Sequence, residues 1–353
     1  MVLSAVADLV TEHQVDVVIV AGDVYDRAVP SAEAIEVCTK AFSRIRAAGA
    51  ELVVTSGNHD SASRLGANDE FAALGGLHLR TRIAQVGAPV LLEDDHGPVA
   101  FYGLPYLEPE TSRHTMEIPE ARGHAGVLRE AMRRVRADLA SRPANIRSFV
   151  AAHAFVVGGA PSESERTIAV GGVETVPANV FDGVDYVALG HLHGPQILTP
   201  RVRYSGSPLA YSFGERRHRK SVWLVEVDSG GLAEVQRVEL PIPRRLSELT
   251  GELDDLLADP AYDTVLDHYL SVTVTDAVRP LDPLRRLQER FPHTVQVRWQ
   301  CAESSPTRYA DRIRGRSDAE IVSSFLEDVR GAGPTNREQE WFERAHAELG
   351  PAL

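Results

Sequence analysis

The chain has 353 residues, 43% apolar and 25% charged, with a formal net charge of −13. That is the composition of a globular chain of about two domains. Its acidity argues against a general polyanion-coating protein, because non-specific nucleic-acid affinity comes from neutralised phosphates, but it leaves room for a nuclease that takes positive charge from bound divalent cations. No apolar run is long enough to span a membrane, and the start meets Asp8 and Glu12 with no basic segment before them, unlike a signal peptide. The two cysteines, Cys38 and Cys301, lie far apart and in no metal-binding spacing, which points to a reducing cytosol.

Residues 1–13 place Val2, Leu3, Val6, Leu9 and Val10 at a helical period. The run V-V-I-V-A-G-D-V-Y-D follows at 17–26. Four apolar, mostly β-branched residues predict a strand buried on both faces, ending where Gly22 lets the backbone turn and Asp23 projects from the carboxyl end. A carboxylate there is either a helix cap or a metal ligand. Ser31 can cap the next helix and Gly49 closes it. Glu51–Thr55 is a second buried strand, running into Gly57-Asn58-His59-Asp60. Short strands are expected at Leu77–Ile83, Pro89–Glu93 and Val99–Leu104, then a helix over Arg122–Arg142 stopped by Pro143. Ile146–Ala152 predicts a strand ending on His153. A loop with Gly158-Gly159 and Gly171-Gly172 leads to a strand at Val184–Leu189, followed by Gly190-His191-Leu192-His193. Val202–Ser205 precedes Gly206-Ser207-Pro208, and Ser221–Val227 pairs with Leu232–Leu240 as a hairpin. The basic run Arg216-Arg217-His218-Arg219-Lys220 is open to two readings, a solvated turn or a phosphate contact. Beyond Pro243 the pattern is helix (Ser247–Ala258), strand (Tyr269–Thr275), helix (Asp282–Arg290) and strand (Thr294–Gln300), a small α/β unit of its own. Ser317-x-x-Glu320 and Thr335-x-x-Glu338 are capping boxes for two last helices, Ser317–Arg330 and Thr335–Leu349.

The polar residues at strand ends are Asp23, Asn58, His59, His153, His191 and His193. Parallel strands that end on one edge bring such loops together. Imidazoles, an amide and a carboxylate at one place are donors for a transition metal. Asp23 can bridge two cations, and His191 and His193 flank Leu192 so that each can face a different ion. Two ions can activate a water and steady both oxygens of a phosphate ester in displacement. His59 is placed to protonate the leaving group, imidazole being suited to proton transfer near neutral pH. The remaining histidines, among them His78, His124 and His218, read as surface residues.

These motifs, G-D-V-Y-D, G-N-H-D, A-H and G-H-L-H in that order, resemble those of the calcineurin-like metallophosphoesterases. N-H-D-S-A-S-R-L at 58–65, A-H-A-F-V-V-G-G at 152–159 and Y-S-G-S-P-L-A-Y-S-F-G-E at 204–215 resemble the SbcD-type bacterial nuclease subunits. The resemblance implies an α/β fold, a four-layer α/β/β/α sandwich over 1–240, with an α/β capping domain at 241–305 and a helical, partner-docking tail at 306–353. It implies a Mn²⁺-dependent DNA nuclease, with 3′→5′ double-strand exonuclease and single-strand or hairpin endonuclease activity, in DNA repair, replication and recombination. The implied partner is an SbcC-like coiled-coil ATPase, with this chain a homodimer within a heterotetramer on DNA in the cytoplasm. By motif, Asp23 would bridge two ions, Asn58, His153 and His191 would complete one shell, His193 would serve the other, and His59 would be the acid.

One motif of the family is missing. Its first strand ends in Asp-x-His, and no such motif precedes Asp23, where only Glu12-His13-Gln14 stands. The expectation is an N-terminally truncated chain from a misplaced start, lacking the first strand, binding one ion well and the second weakly. Two alternatives stay open: a small-molecule phosphodiesterase on the same centre, and a non-catalytic scaffold that binds the partner and DNA ends.

Overall fold

The computed structural model describes residues 1–160, 176–300 and 315–349. Two compact units divide the chain, Met1–Pro243 and Arg244–Leu353. Gly171-Gly172 and Cys301 lie outside the described residues.

The first unit is built on two sheets. Strands β1 (Val17–Ala21), β2 (Glu51–Thr55) and β3 (Leu77–Arg80) are all parallel, in the order β1-β2-β3. The second sheet has β4 (Val90–Asp94), β5 (Gly97–Leu104), β6 (Arg147–His153), β7 (Tyr186–Gly190), β8 (Gln196–Ile197) and β9 (Val202–Tyr204), in the order β4-β5-β6-β7-β9-β8. Strands β5, β6, β7 and β9 run parallel; β4 and β8 are antiparallel to their neighbours.

The period of two along each strand sorts side chains into layers. Leu52 and Val54 pack with Ala7 and Val10 of helix α1 (Val2–Glu12) and Ile45 of α2 (Ala32–Ala47). Val53, between them, faces the other way and joins Val99, Phe101, Phe149 and Tyr186 between the sheets. Ala100, Tyr102 and Val150 point to the far side, where α6 (Gly123–Ala140) buries Val127, Leu128, Met132 and Val135. Each fully buried Val, Leu, Ile, Phe or Met among them contributes about 1.5–3 kcal/mol. The result is helix, sheet, sheet, helix: the expected four-layer sandwich. Short helices α3 (Ala62–Leu65) and α4 (Asp69–Leu74) follow β2, and α5 (Pro109–Thr115) precedes α6. A hairpin of β10 (Ser221–Asp228) and β11 (Gly231–Glu239) adds Val225, Val227, Leu232 and Val235 to the layer between the sheets.

The second unit holds three parallel strands, β12 (Leu246–Gly251), β13 (Tyr269–Val274) and β14 (Thr294–Trp299), with helices α7 (Leu253–Ala258) and α8 (Pro283–Arg290). Leu249, Leu253, Leu256, Leu270, Val272, Leu287 and Phe291 form its core. Helices α9 (Asp318–Arg330) and α10 (Asn336–Leu349) complete it. Ser317 and Glu320 cap α9 reciprocally, as expected. No helix among the described residues is long and apolar enough to cross a membrane.

Three expectations are corrected. The helix over Ser247–Ala258 is strand β12 followed by the shorter α7: Leu249, Leu253 and Leu256 have helical spacing, but Leu249 pairs opposite Val272 across a parallel ladder. Pairing to β13 outweighs local propensity there. The strand over Leu77–Ile83 ends at Arg80, and Ile83–Gln85 forms a 3₁₀ turn. Strand β1 is half-buried at all five positions, whereas β2 is buried over Leu52–Thr55, because β1 lies at the edge of its sheet among the described residues.

Candidate metal centre

The carboxyl ends of β1, β2, β6 and β7 meet. At Gly22, φ is +87°, and an added Cβ would lie 2.5 Å from His153 Nδ1 and 2.8 Å from Gly57 N. At Gly190 an added Cβ would lie 1.8 Å from the Ala21 carbonyl oxygen. Glycine at both positions is what lets the strand ends close on one another. Asp23 (φ +50°) and His191 (φ +105°) also adopt left-handed backbone without being glycine. Such residues cost about 1–3 kcal/mol each and persist where their surroundings over-determine them.

Asp60 supplies part of that determination. Its Oδ2 accepts from Val24 N (3.0 Å) and Gly57 N (2.9 Å), and its Oδ1 from Tyr25 N (2.9 Å). One carboxylate thereby ties the loop after β1 to the loop after β2. Burial raises its pKa, as does the nearby Asp23 carboxylate, against the lowering effect of the three N–H groups.

His153 sits at the meeting point, 3% exposed. Its Nδ1 lies 2.9 Å from the Ala21 carbonyl oxygen. A carbonyl only accepts, so Nδ1 carries the hydrogen and a neutral ring presents the Nε2 lone pair. That lone pair faces Asn58 Oδ1 at 2.8 Å and Asp23 Oδ2 at 3.3 Å. Three acceptors converging on one point require a proton or a cation between them. The donor set of imidazole nitrogen, amide oxygen and carboxylate oxygen fits a divalent ion of the Mn²⁺ or Zn²⁺ type. Burial raises the Asp23 carboxyl, but when a proton fills that place on Nε2 the His153 hydrogen bond and charge, with the His59 N–H and ring, outweigh burial and hold it at about 2. Asp23 is thus a carboxylate throughout the neutral range, as a ligand must be.

The other candidates are placed less directly. The His59 N–H donates to Asp23 Oδ1 at 3.0 Å. The ring Nδ1 of His59 lies 3.0 Å from the Asp26 carbonyl oxygen, and its Nε2 lies 4.0 Å from Asp23 Oδ2. His191 stacks edge-on to His153, with ring centroids 5.4 Å apart. His193 is held by Glu215, Nδ1 to Oε1 at 3.0 Å, with the Tyr211 ring 5.6 Å away. Asp23, Asn58, His59 and His153 are brought together, His191 flanks them, and His193 is anchored by Glu215. Among the described residues no three His, Cys, Asp or Glu side chains gather into a ligand cluster; the convergent trio depends on the Asn58 amide.

Two readings of the sequence are corrected here. His124 is 3% exposed rather than on the surface, its ring 5.5 Å from that of Tyr106, which in turn lies 6.3 Å from His153. Lys220, read with its basic run as a turn residue or a phosphate contact, is 3% exposed and paired with Glu215, itself fully buried. A charged residue can be buried when it is paired and hydrogen-bonded, and nothing in the local sequence announces the partner. Sequence reasoning passed over Glu215 and Asp60, although each closes a motif, F-G-E and G-N-H-D. For Asp60 the usable signal was a carboxylate three residues after a glycine at a strand end; Glu215, in a 3₁₀ turn, offered none.

Comparison with known families gives two matches. A profile for calcineurin-like phosphoesterases matches residues 2–195. A second, for the type 5 capsule protein repressor C-terminal domain of SbcD type, matches residues 242–330.

Proposed function

The chain belongs to the calcineurin-like phosphoesterase family, and from that premise we propose that it is the nuclease subunit of an SbcCD-like complex, hydrolysing DNA phosphodiesters with divalent metal. The observation that carries the hydrolytic reading is the convergence of Asp23 Oδ2 and Asn58 Oδ1 on His153 Nε2. The match of residues 242–330 to the SbcD-type C-terminal domain supports DNA over a small molecule as substrate. Mn²⁺ is the proposed metal, held by Asp23, Asn58, His153 and His191, with His193 and Asp23 serving a second ion.

A divalent ion at this place supplies Lewis acidity and an activated nucleophile for the phosphodiester. The protein's own contribution starts with Asp60 and the two glycines, which hold the loops so that the donors need no reorganisation. His59 donates Nδ1–H to the Asp26 carbonyl, which leaves Nε2 as the atom that passes a proton to the departing oxygen. The His59 N–H on Asp23 Oδ1 leaves the other carboxylate oxygen, Oδ2, aimed at His153.

The proposed partner is an SbcC-like coiled-coil ATPase docking on α9 and α10. Phe325, Val329 and Trp341 on these helices are 51–61% exposed, an apolar surface that a helical partner could cover. Phe71 and Leu74, one turn apart on α4, are 78% and 86% exposed, which supports homodimerisation there. The reading places the protein in the cytoplasm, on DNA, in repair, recombination and replication.

The deciding assay offers linear duplex DNA, a DNA hairpin and a cyclic nucleotide to the protein with Mn²⁺, with and without the ATPase. Mn²⁺-dependent cleavage of the DNAs, raised by the ATPase, is expected. Hydrolysis of the cyclic nucleotide alone would make it a small-molecule phosphodiesterase. Bound Mn²⁺ with no hydrolysis of any substrate would make it a scaffold. Loss of α9 and α10 beyond Gly315 should abolish capture of the ATPase; undiminished capture would refute docking there.

A further inference from the structure

Beneath His193 lies a charged group that the proposed chemistry does not use directly. Glu215 is fully buried and Lys220 is 3% exposed. Lys220 Nζ donates to Glu215 Oε2 at 2.5 Å, to the His193 carbonyl oxygen at 2.9 Å and to Ser207 Oγ at 2.9 Å. The three hydrogens of the ammonium group each have an acceptor. The other carboxylate oxygen of Glu215, Oε1, lies 3.0 Å from His193 Nδ1. Because Lys220 fixes Glu215 as an ionised acceptor, Nδ1 of His193 must be the donor. The ring then presents an unprotonated Nε2 on its opposite side.

We propose that Glu215, held by Lys220, is the positioning residue of His193: it sets the Nδ1–H tautomer and aims Nε2 as a donor to a divalent cation. This rests on the reading of the strand-end cluster as a metal centre, in which His193 is the proposed ligand of the second ion. A carboxylate on the far nitrogen of a ligating histidine fixes its tautomer and raises its basicity, and loss of such a partner typically lowers metal affinity by about 10–100-fold. A purely structural role, stapling the loop at His193 and Ser207 to the start of β10, predicts no tautomer dependence.

Glu215→Gln separates the two. Gln keeps the volume, but its single oxygen is drawn to the Lys220 ammonium. Its amide hydrogens then face His193 Nδ1 and drive the proton to Nε2, where it blocks a cation. The first measurement is the nitrogen-15 imidazole spectrum of the unaltered, chelator-treated protein, which needs neither metal nor activity. His193 should be the Nδ1–H tautomer, and the Nε2–H tautomer would overturn the proposal. The second compares Glu215→Gln with the parent by the same spectrum and by Mn²⁺ titration. The expected result is a switch to Nε2–H and a loss of about 10–100-fold in the weaker Mn²⁺ affinity, with the tighter unchanged. A variant that keeps the Nδ1–H tautomer and both affinities overturns the proposal. Absence of any Mn²⁺ binding by the unaltered protein would instead refute the metal centre itself, while the spectrum would still decide whether Glu215 sets the tautomer.

Discussion

The surroundings of His153 and of His193 are built differently. Toward His153, acceptors from two loops converge within 3.3 Å of one nitrogen at the end of β6, on left-handed backbone and glycines that admit no Cβ. At His193, the imidazole is oriented from behind by a buried ion pair. One side is organised by close approach of backbone and the other by charge beneath the surface. The lesson is that a site can be preorganised either by making the donors touch or by fixing one donor's tautomer, and that only the first leaves a mark in local sequence.

The largest effect tests whether His59 stands outside the metal shell. His59→Ala should lower turnover by about 10²–10⁴-fold while Mn²⁺ affinity measured by calorimetry stays put; a parallel loss of affinity would make His59 a ligand. Next, His153→Gln removes the nitrogen on which Asn58 and Asp23 converge. It should weaken the tighter Mn²⁺ affinity by more than about 100-fold, beyond the loss typical of an outer partner, and an unchanged tighter affinity would erase the asymmetry. Asp60→Ala leaves the N–H groups of Val24, Tyr25 and Gly57 without that acceptor. Denaturant melts should show a loss of about 1–3 kcal/mol, with weaker metal binding on the His153 side; full stability would mean that water replaces the carboxylate without penalty.

Much of the His153 side was legible in the sequence because it is written at strand ends. A β-branched run closing on Gly and a polar residue occurs at Val17–Asp23 and again at Glu51–Asn58, and the structure places these ends together. The four layers were expected only from the family resemblance; in the structure they arise because side chains alternate around Val53 and Phe101. What was not legible depends on distant partners. Lys220 and Glu215 look like surface charges until the fold brings them to 2.5 Å. The helix that carries His124 was legible, but the burial of its first turn beside the distant Tyr106 was not. Leu246–Gly251 has helical spacing and becomes a strand because β13 is there to pair with it. The half-exposure of β1 is a property of its place in the sheet, not of its residues.

A control at the opposite end of the same strands predicts the smallest effect. Arg147 opens β6 and His153 closes it. The Arg147 guanidinium pairs with Asp94 through two hydrogen bonds, 2.7 and 2.5 Å. Those bonds hold the Asp94 carboxyl at about 2, against an ordinary value of 3.8. A carboxylate whose pKa is lowered on folding stabilises above its unfolded value, and that stabilisation is lost as pH falls through its folded one. The parent should therefore lose melting temperature between about pH 4 and pH 2 more steeply than Asp94→Asn. As Asp94 is partly exposed, the difference should be at most about 3 °C. Neither Mn²⁺ affinity should change at neutral pH. A change in either would mean that the sheet transmits strain from one end of β6 to the other.

The most direct test of the difference between the two sides is a Mn²⁺ titration of the unaltered protein, followed by electron paramagnetic resonance and calorimetry. One ion should bind tightly and a second at least about tenfold more weakly, the weaker one alone responding to Glu215→Gln, within the range expected for an outer partner. Two sites of equal affinity, both lost together in His153→Gln, would contradict the account.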